Sequence, residues 1–236
     1  MIYTICFGVC MVAFRIIFSY RSYNKEALRR YKTNGRPFVV VANHLSMLDP
    51  IFIAMAYGWG PKFSIMAKAE LFRNPVLAWF FRKLGGFPVE RGTGDTDALD
   101  KAIRDVKGGQ GMIIFPEGTR GTGDKMLKMK SGAFMVAART GADIIPVRLV
   151  YPTSTRKLKF FAPVVVKVGQ PLLAEDLNMV EGGKRALRAA KTKTQECLDN
   201  LLEEYNTMVG YVPPALPKAD EKTETETKVE TENEGN

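Results

Sequence analysis

The segment Pro37–Pro50, PFVVVANHLSMLDP, decides how the chain folds. Its first part, PFVVV, is a run of apolar, mostly β-branched residues, and such a run without alternation is typical of a strand buried on both faces of a parallel sheet. Polar residues begin where this strand ends, and Pro50 is tolerated in the first turn of a helix. The segment therefore predicts a buried strand that leads through a short polar turn into a helix.

The rest of the chain alternates between strand-like and helix-like segments in the same way. We predict strands at Phe38–Ala42, Phe63–Ala67, Phe87–Glu90, Met112–Phe115, Ile144–Val150 and Val164–Val168. We predict helices at Pro50–Tyr57, Pro75–Leu84, Ala98–Lys107, Gly132–Thr140 and Lys184–Tyr205. Such alternation favours an α/β fold with a largely parallel central sheet flanked by helices.

The two ends of the chain differ in composition from its middle. Residues Met1–Phe14 are almost entirely apolar, and Arg15–Arg36 contains seven Lys or Arg residues against one acid. An apolar helix followed by a basic one predicts a monotopic or single-span anchor that places the body on the cytoplasmic face of the cell membrane. The sequence from Pro213 onward is of low complexity and is expected to be disordered. We therefore divide the chain into a helical membrane-anchoring segment (1–36), an α/β domain (37–212) and a disordered acidic tail (213–236).

Charge and cysteine content narrow the class of protein. The net charge is +9, and because the tail from Lys218 to Asn236 is acidic, the residues before it carry +13. A body this basic predicts an anionic partner, which can be nucleic acid, a membrane surface or a phosphorylated substrate. The chain has three cysteines, one histidine and no C-x-x-C pair. We therefore expect neither a metal site nor a disulfide framework, and a reducing environment fits.

The only histidine, His44, follows the first predicted strand of the body. Functional groups of α/β proteins usually lie at such strand ends. Asp49 comes five positions later, and the two side chains can meet only if the chain turns between them, because an ideal helix would hold them apart. The carboxylate would then fix the ring tautomer and leave the other nitrogen to accept a proton from a hydroxyl. Two alternatives stay open: Ser46-x-x-Asp49 is also a capping-box pattern, and a lone histidine is usually a plain surface or core residue.

Two more predicted strands end in an acid and an arginine beside glycine. The segment GGFPVER ends at Arg91, and FPEGTR ends at Arg120. Guanidinium groups bind phosphate with two parallel hydrogen bonds, and Gly118 lets backbone approach a ligand closely. The two arginines together predict a phosphate clamp, while the alternative for each one alone is a surface ion pair with its neighbouring glutamate.

Four motifs, in this order and spacing, resemble those of the 1-acyl-sn-glycerol-3-phosphate acyltransferase family. They are NHLSMLD, GGFPVERG, FPEGTR and IIPV, and the resemblance covers roughly residues 37–172. The H-x-x-x-x-D pattern alone is a weak signal, but joined to FPEGTR about seventy residues later it is highly specific. Pro88 and Val89 vary the apolar part of the second motif, which removes no chemical group that the reaction needs.

The resemblance implies an enzyme that moves a fatty acyl group from a thioester donor to the sn-2 hydroxyl of lysophosphatidic acid. The donor is acyl-CoA or acyl carrier protein, the product is phosphatidic acid for phospholipid synthesis, and no cofactor is implied. His44 would be the general base and Asp49 would orient it. The implied substrate-binding residues are Arg91, Glu117, Gly118, Thr119, Arg120 and Lys68. The fourth motif would help to form the acyl site, and backbone amides near the strand-to-helix turn would stabilise the oxyanion of the intermediate.

Three other functions stay open on the sequence. The same chemistry could act on another lysophospholipid or a lyso amino-acid lipid, because the choice of acceptor depends on the shape of the pocket. A non-catalytic binder of anionic membranes or nucleic acid fits the charge, although no recognisable nucleic-acid motif appears and we expect no nucleic-acid partner. A hydrolase of the same thioester would use the same base on water and leave both arginines idle.

Overall fold

The predicted strand Phe38–Ala42 is buried at every position and lies inside a seven-stranded sheet. The structure is a computed structural model that describes residues 8, 12–58, 63–90, 96–121, 123–153 and 157–210. These residues belong to two compact units, Met1–Glu204 and Tyr205–Asn236. The second unit is described only at the end of the last helix and the two residues after it, so the predicted tail 213–236 lies outside the described residues.

The strands and helices alternate along the described part of the chain. The strands are β1 (Tyr20–Tyr23), β2 (Phe38–Ala42), β3 (Ser64–Lys68), β4 (Gly86–Val89), β5 (Met112–Ile114), β6 (Asp143–Val150) and β7 (Val164–Val168). The α-helices are α1 (Lys25–Arg29), α2 (Asp49–Tyr57), α3 (Pro75–Lys83), α4 (Thr96–Lys107), α5 (Gly132–Thr140) and α6 (Gly183–Met208). Short 3-10 helices follow α1 at Arg30–Lys32 and β3 at Ala69–Phe72, and residues 12–17 are helical.

The sheet has the strand order β1-β7-β6-β2-β5-β3-β4. Neighbouring strands run parallel everywhere except between β6 and β7, which are antiparallel. The predicted α/β fold with a largely parallel sheet is therefore confirmed, and each predicted strand and helix is found with small shifts of its ends. The sequence analysis missed β1, because its four residues, YRSY, show neither an apolar run nor a clear alternation.

Apolar residues on both faces of the sheet form two layers of core. Val40 and Ala42 of β2 face one cluster, which includes Phe52 and Ile53 of α2. Val39 and Val41 face the other cluster, which contains apolar side chains of α4, α5 and α6. Because successive side chains of a strand point to opposite faces, a strand between two helical layers must be apolar at every position. Burying each such valine or isoleucine contributes about 1.5–3 kcal/mol to stability.

The basic stretch before β2 is tied to the sheet by a buried carboxylate. Asp143, at the start of β6, accepts hydrogen bonds from the hydroxyl of Tyr31 (2.7 Å), from Arg36 (2.8 and 2.9 Å) and from the amide of Ala174 (3.0 Å). Burial opposes its charge, but these donors outweigh burial and hold the pKa of Asp143 below its usual value. Because the pKa is lowered, the contact stabilises the fold at neutral pH and is lost as the pH falls and the carboxylate is protonated.

The predicted anchoring segment 1–36 therefore contributes structure to the sheet. It contains β1 and α1, and its last residue, Arg36, binds Asp143. Within the described residues, no helix combines the length and the apolar character that crossing a membrane requires. Anchoring by this segment and the three predicted domain boundaries stay predictions, and deleting 1–36 would remove a strand together with any anchor.

A glycine between α3 and β4 fixes how closely β3 and β4 approach. Gly85 has a φ of 87°, and a Cβ atom built on it would lie 1.8 Å from the carbonyl oxygen of Phe63. Gly109 has the same φ of 87° but open space around it. Comparing alanine variants of Gly85 and Gly109 therefore separates the cost of a left-handed backbone conformation from the cost of a steric clash.

We predict that Gly85→Ala lowers the free energy of unfolding much more than Gly109→Ala. The left-handed conformation alone should cost about 1–2 kcal/mol in Gly109→Ala, whereas Gly85→Ala should cost about 3 kcal/mol or more because backbone must also move. Urea unfolding of both variants beside the wild type measures the difference. Equal losses would contradict a close contact between residues 63 and 85.

Candidate active site

The turn after β2 begins with an asparagine whose side chain makes hydrogen bonds to the backbone of β6. The side chain of Asn43 is buried; its Nδ2 donates to the carbonyl oxygen of Leu149 (3.0 Å), and its Oδ1 accepts from the amide of Leu149 (2.7 Å). Between parallel strands the amide and the carbonyl group of one residue bind two different residues of the neighbouring strand, so this one side chain takes the place of two backbone partners that a longer β2 would have offered to Leu149. The backbone of the next residue, His44, is thereby free to leave the sheet.

Asp49 lies at the centre of this turn. Its carboxylate is fully buried, and its Oδ2 accepts from Nδ1 of His44 (2.8 Å) and from the amides of Leu45 (2.6 Å) and Ser46 (2.8 Å). Its Oδ1 accepts a short hydrogen bond from the hydroxyl of Tyr151, just after β6. Burial and the charge of Asp49 raise the pKa of Tyr151, so this hydroxyl keeps its proton and donates it.

Asp49 meets His44, whereas the capping box that the sequence also allowed is not formed. Asp49 does bind the amide of Ser46, but α2 begins at Asp49 itself and Oγ of Ser46 accepts from the amide of Leu48 (3.2 Å) instead of that of Asp49. The bond of Asp49 to His44 requires the proton on Nδ1, because the ionised carboxylate can only accept. Nε2 is then the nitrogen that can take a proton from a hydroxyl.

Glu117 joins this turn to the loop that follows β5. Its side chain is buried, with Oε1 accepting from the amide of His44 (2.9 Å) and Oε2 accepting from the amide of Leu127 (2.8 Å). The amide of Gly121 in turn donates to the carbonyl oxygen of His44 (2.7 Å). Both carboxylate oxygens of Glu117 therefore hold backbone, which makes it a residue that positions His44.

The remaining residues of the third motif differ in exposure. Gly118 is half-buried, with a φ of 69°, and a Cβ atom there would lie 2.9 Å from Nζ of Lys130. Thr119 and Arg120 are exposed on the same loop, just before Gly121. The loop is fastened at its far end, because the amide of Lys130 donates to the carbonyl oxygen of Pro116 (2.7 Å).

A cavity of about 540 Å³ opens beside His44. The ring of His44 lies on its wall and stacks on Phe115, with ring centroids 4.2 Å apart and an angle of 23° between the planes. Most of the wall is apolar; it includes Ile65, Met66, Leu71, Phe81, Leu99 and Met135. The described cations on the wall are Lys68 and Lys130, and Lys68 is also ion-paired to Glu70 (2.9 Å).

The structure brings together most of the residues that the sequence analysis selected. Gly118 and Lys68 line the cavity with His44, while Arg91 lies outside the described residues. Lys130 was not selected as a binding residue; the available signal was its position two residues before a predicted helix, in a segment that also holds Lys125 and Lys128. The fourth motif, Ile144–Val147, is buried within β6, and no described residue of it lines the cavity.

Three backbone amides of the turn after β2 already have acceptors within the protein. The amides of His44, Leu45 and Ser46 are bonded to the carboxylates of Glu117 and Asp49. The expectation that amides of this turn stabilise an oxyanion is therefore wrong for these three, since a buried carboxylate already occupies each of them. The described residues also contain no group of three or more His, Cys, Asp or Glu side chains that could hold a metal ion.

Comparison with known proteins gives a consistent picture. A family profile described as acyltransferase matches residues 19–150. The crystal structure of the 1-acyl-sn-glycerophosphate (LPA) acyltransferase PlsC from Thermotoga maritima is similar to this chain, with a TM-score of 0.59 and 27% identity. The similarity covers 79% of this chain and 72% of that one.

Two curated relatives carry related names. The 1-acyl-sn-glycerol-3-phosphate acyltransferase of Bacillus subtilis is 29% identical over 83% of this chain and 98% of its own length. The chloroplast enzyme of the same name from Arabidopsis thaliana is 27% identical over 78% of this chain and 51% of its own length. The chain thus spans about half the length of the plant relatives that it matches.

We predict that the neutral ring of His44 carries its proton on Nδ1. Because the chain has one histidine, ¹⁵N NMR of a histidine-labelled sample reports this ring alone, at a pH where it is neutral. Asp49→Ala should shift the proton towards Nε2, whereas Tyr151→Phe should leave it on Nδ1 because the carboxylate stays. A wild-type ring with its proton on Nε2 would contradict the geometry.

Proposed function

The chain belongs to the acyltransferase family, and we propose that it moves a fatty acyl group from a thioester donor to the sn-2 hydroxyl of 1-acyl-sn-glycerol 3-phosphate. The donor is acyl-CoA or acyl carrier protein, and the product is phosphatidic acid. The observation that carries the proposal is the pair of His44 and Asp49 on the wall of an apolar cavity. A base beside a pocket for hydrocarbon is what acyl transfer between lipids needs.

His44 acts as the general base in this reaction. The acceptor hydroxyl gives its proton to Nε2 while its oxygen attacks the thioester carbon, and the buried carboxylate of Asp49 stabilises the imidazolium that forms. The tetrahedral intermediate collapses as the carbon–sulfur bond breaks. The imidazolium then returns its proton to the departing thiolate. Proton and charge balance without a metal or a covalent acyl-enzyme, since a thioester is already activated.

The cavity beside His44 holds the acyl chain of the donor or of the acceptor. Its wall is mostly aliphatic and aromatic, and burying hydrocarbon there stabilises the complex by about 25 cal/mol for each Å² removed from water. Apolar walls also exclude water from the thioester, which favours transfer to a lipid hydroxyl over hydrolysis.

The acceptor phosphate binds at the loop after β5. Arg120 is exposed there, Lys130 reaches towards Gly118, and Lys68 lies on the cavity wall with Lys130. A guanidinium binds phosphate with two parallel hydrogen bonds and a lysine binds it as a point charge, so the two kinds of residue act together. Arg91 is assigned to the same phosphate because its segment resembles the family motif. Glu117 supports this loop from beneath without contacting the substrate.

The body sits on the cytoplasmic face of an anionic membrane, from which the acceptor comes. Val12 and Ile16 are exposed on the helical residues 12–17, and Phe160 and Phe161 are exposed beside them, where the amide of Phe161 donates to the carbonyl oxygen of Ile17 (2.7 Å). Exposed apolar residues next to a basic segment support attachment to lipid through the N-terminal segment.

We predict that detergent-solubilised wild type forms phosphatidic acid from labelled oleoyl-CoA and lysophosphatidic acid. His44→Ala should lower the rate by about 10³-fold or more, because the hydroxyl then has no base. Acyl carrier protein as donor, and other lysolipids including a lyso amino-acid lipid as acceptors, are assayed in parallel to identify the preferred donor and the preferred acceptor. Free fatty acid as the main product would favour hydrolysis, and an active His44→Ala would overturn the assigned base.

We predict opposite kinetic signatures for Glu117 and Arg120. Glu117→Gln should lower kcat with little change in the KM for lysophosphatidic acid, because an amide group next to two backbone N–H groups disturbs the position of His44. Arg120→Ala should mainly raise that KM, by about tenfold for one lost charged contact.

Exposed Glu203 on α6 provides the control. Glu203→Gln should change neither parameter, since its side chain lies in solvent away from the cavity. An increase in KM with unchanged kcat in Glu117→Gln would show that this carboxylate contacts the substrate and that its positioning role is wrong.

A further inference from the structure

Helix α3 presents an apolar surface to solvent. Val76 is 71% exposed, Trp79 is 63% exposed and Leu77 is exposed as well, all within the first two turns of the helix. Tryptophan is seldom left in water without a reason, because its indole ring carries a large apolar area. Val76 and Trp79, three positions apart, share one face of the helix, and Leu77 widens its exposed apolar surface; soluble proteins seldom group exposed apolar residues into such a patch.

Basic residues surround this patch. Arg73 precedes the helix, and Arg82 and Lys83 lie in its last turn; all three are exposed. The helix sequence PVLAWFFRK contains no acidic residue. Tryptophan beside arginine and lysine on an amphipathic helix is the pattern of a segment that lies in the headgroup region of a bilayer, with its apolar side chains in the acyl boundary.

The side of α3 that faces away from Trp79 borders the candidate active site. Phe81 lines the cavity beside His44, as does Leu71 of the preceding 3-10 helix, whereas Ala78 is buried beneath. One helix therefore separates the exposed patch from the cavity. A bilayer in contact with the patch would lie within a helix diameter of the pocket for hydrocarbon.

We propose that α3 is a membrane-docking helix that inserts Val76, Leu77 and Trp79 into an anionic lipid surface. Charge favours lipid over a second copy of this chain, because the patch is cationic and the chain as a whole is basic, so two copies would repel. The docking is independent of the N-terminal segment, which is a different part of the chain. Its purpose rests on the proposed function, since it brings the cavity to the lipid substrate, but its test does not, because vesicle binding is measured without turnover.

The chain has two tryptophans, so Trp59→Phe leaves Trp79 as the only indole. The full chain in this background is added to vesicles of phosphatidylcholine with phosphatidylglycerol. We expect a blue shift of the emission, and quenching when the phosphatidylcholine carries brominated acyl chains. Protein that sediments with the vesicles while its emission stays unchanged and unquenched would overturn the proposal, since another surface would then hold the membrane.

A matched pair of valines tests the same point by affinity. Val76 and Val180 are 71% and 70% exposed, but Val180 precedes α6, outside the patch. Val76→Asp should weaken vesicle binding by about tenfold, because it places a carboxylate in the acyl boundary, and Val180→Asp should not. Arg73→Gln should weaken binding to the anionic vesicles by about fivefold and leave binding to pure phosphatidylcholine unchanged. Equal losses in the two valine variants contradict docking through α3.

A second copy of the chain is the alternative occupant of the patch. It would shift the emission of Trp79 with protein concentration in the absence of vesicles, and Val76→Asp would abolish that shift. This result would overturn the proposal, whereas emission that is independent of concentration supports it. Acyl transfer by Val76→Asp on detergent-dispersed substrate should match wild type, which keeps a failure of docking distinct from a failure of the proposed function.

Discussion

The buried carboxylate of Asp49 is the group on which the site depends. A charge taken out of water must be met by donors, and removing the partners of such a charge typically costs about 3–5 kcal/mol. Asp49 meets this demand with four donors that come from His44, two amides of the turn and Tyr151 after β6. The fold must bring all four donors to this carboxylate. The same hydrogen bonds therefore stabilise the turn and orient the ring of His44.

A second buried carboxylate extends this arrangement to the rest of the cavity. Glu117 accepts from the amide of His44 with one oxygen and from the amide of Leu127 with the other, so one side chain positions both His44 and the loop after β5. Arg148, buried in β6, donates to the carbonyl of Asp124 in the same loop. The loop that carries Arg120 is therefore held by two buried charged side chains, Glu117 and Arg148, and its exposed residues can face a ligand without refolding.

The sequence predicted the fold well where packing leaves a pattern and poorly where it does not. β2 is a uniform apolar run and β7 is apolar except for Lys167, and both were placed with their observed ends. β1 escaped because an edge strand of four mixed residues needs no periodicity. The pairing of His44 with Asp49 was predicted from spacing and family likeness. Substrate binding by Glu117 was predicted from the motif, and the structure adds that both of its carboxylate oxygens accept from backbone amides. A motif identifies which residue is present, but it does not say which groups the side chain contacts.

The amide side chain of Asn43 connects the turn that carries His44 to the sheet. Because this side chain binds both the amide and the carbonyl group of Leu149, the backbone ladder between β2 and β6 ends at Ala42, two residues before His44. The last connection between the two strands is thus made by a side chain. Its two hydrogen bonds fix where the main chain leaves the sheet and in which direction. Asn43 thus sets the direction in which the loop leaves the rigid sheet. Because its amide is uncharged, pH does not alter these two hydrogen bonds.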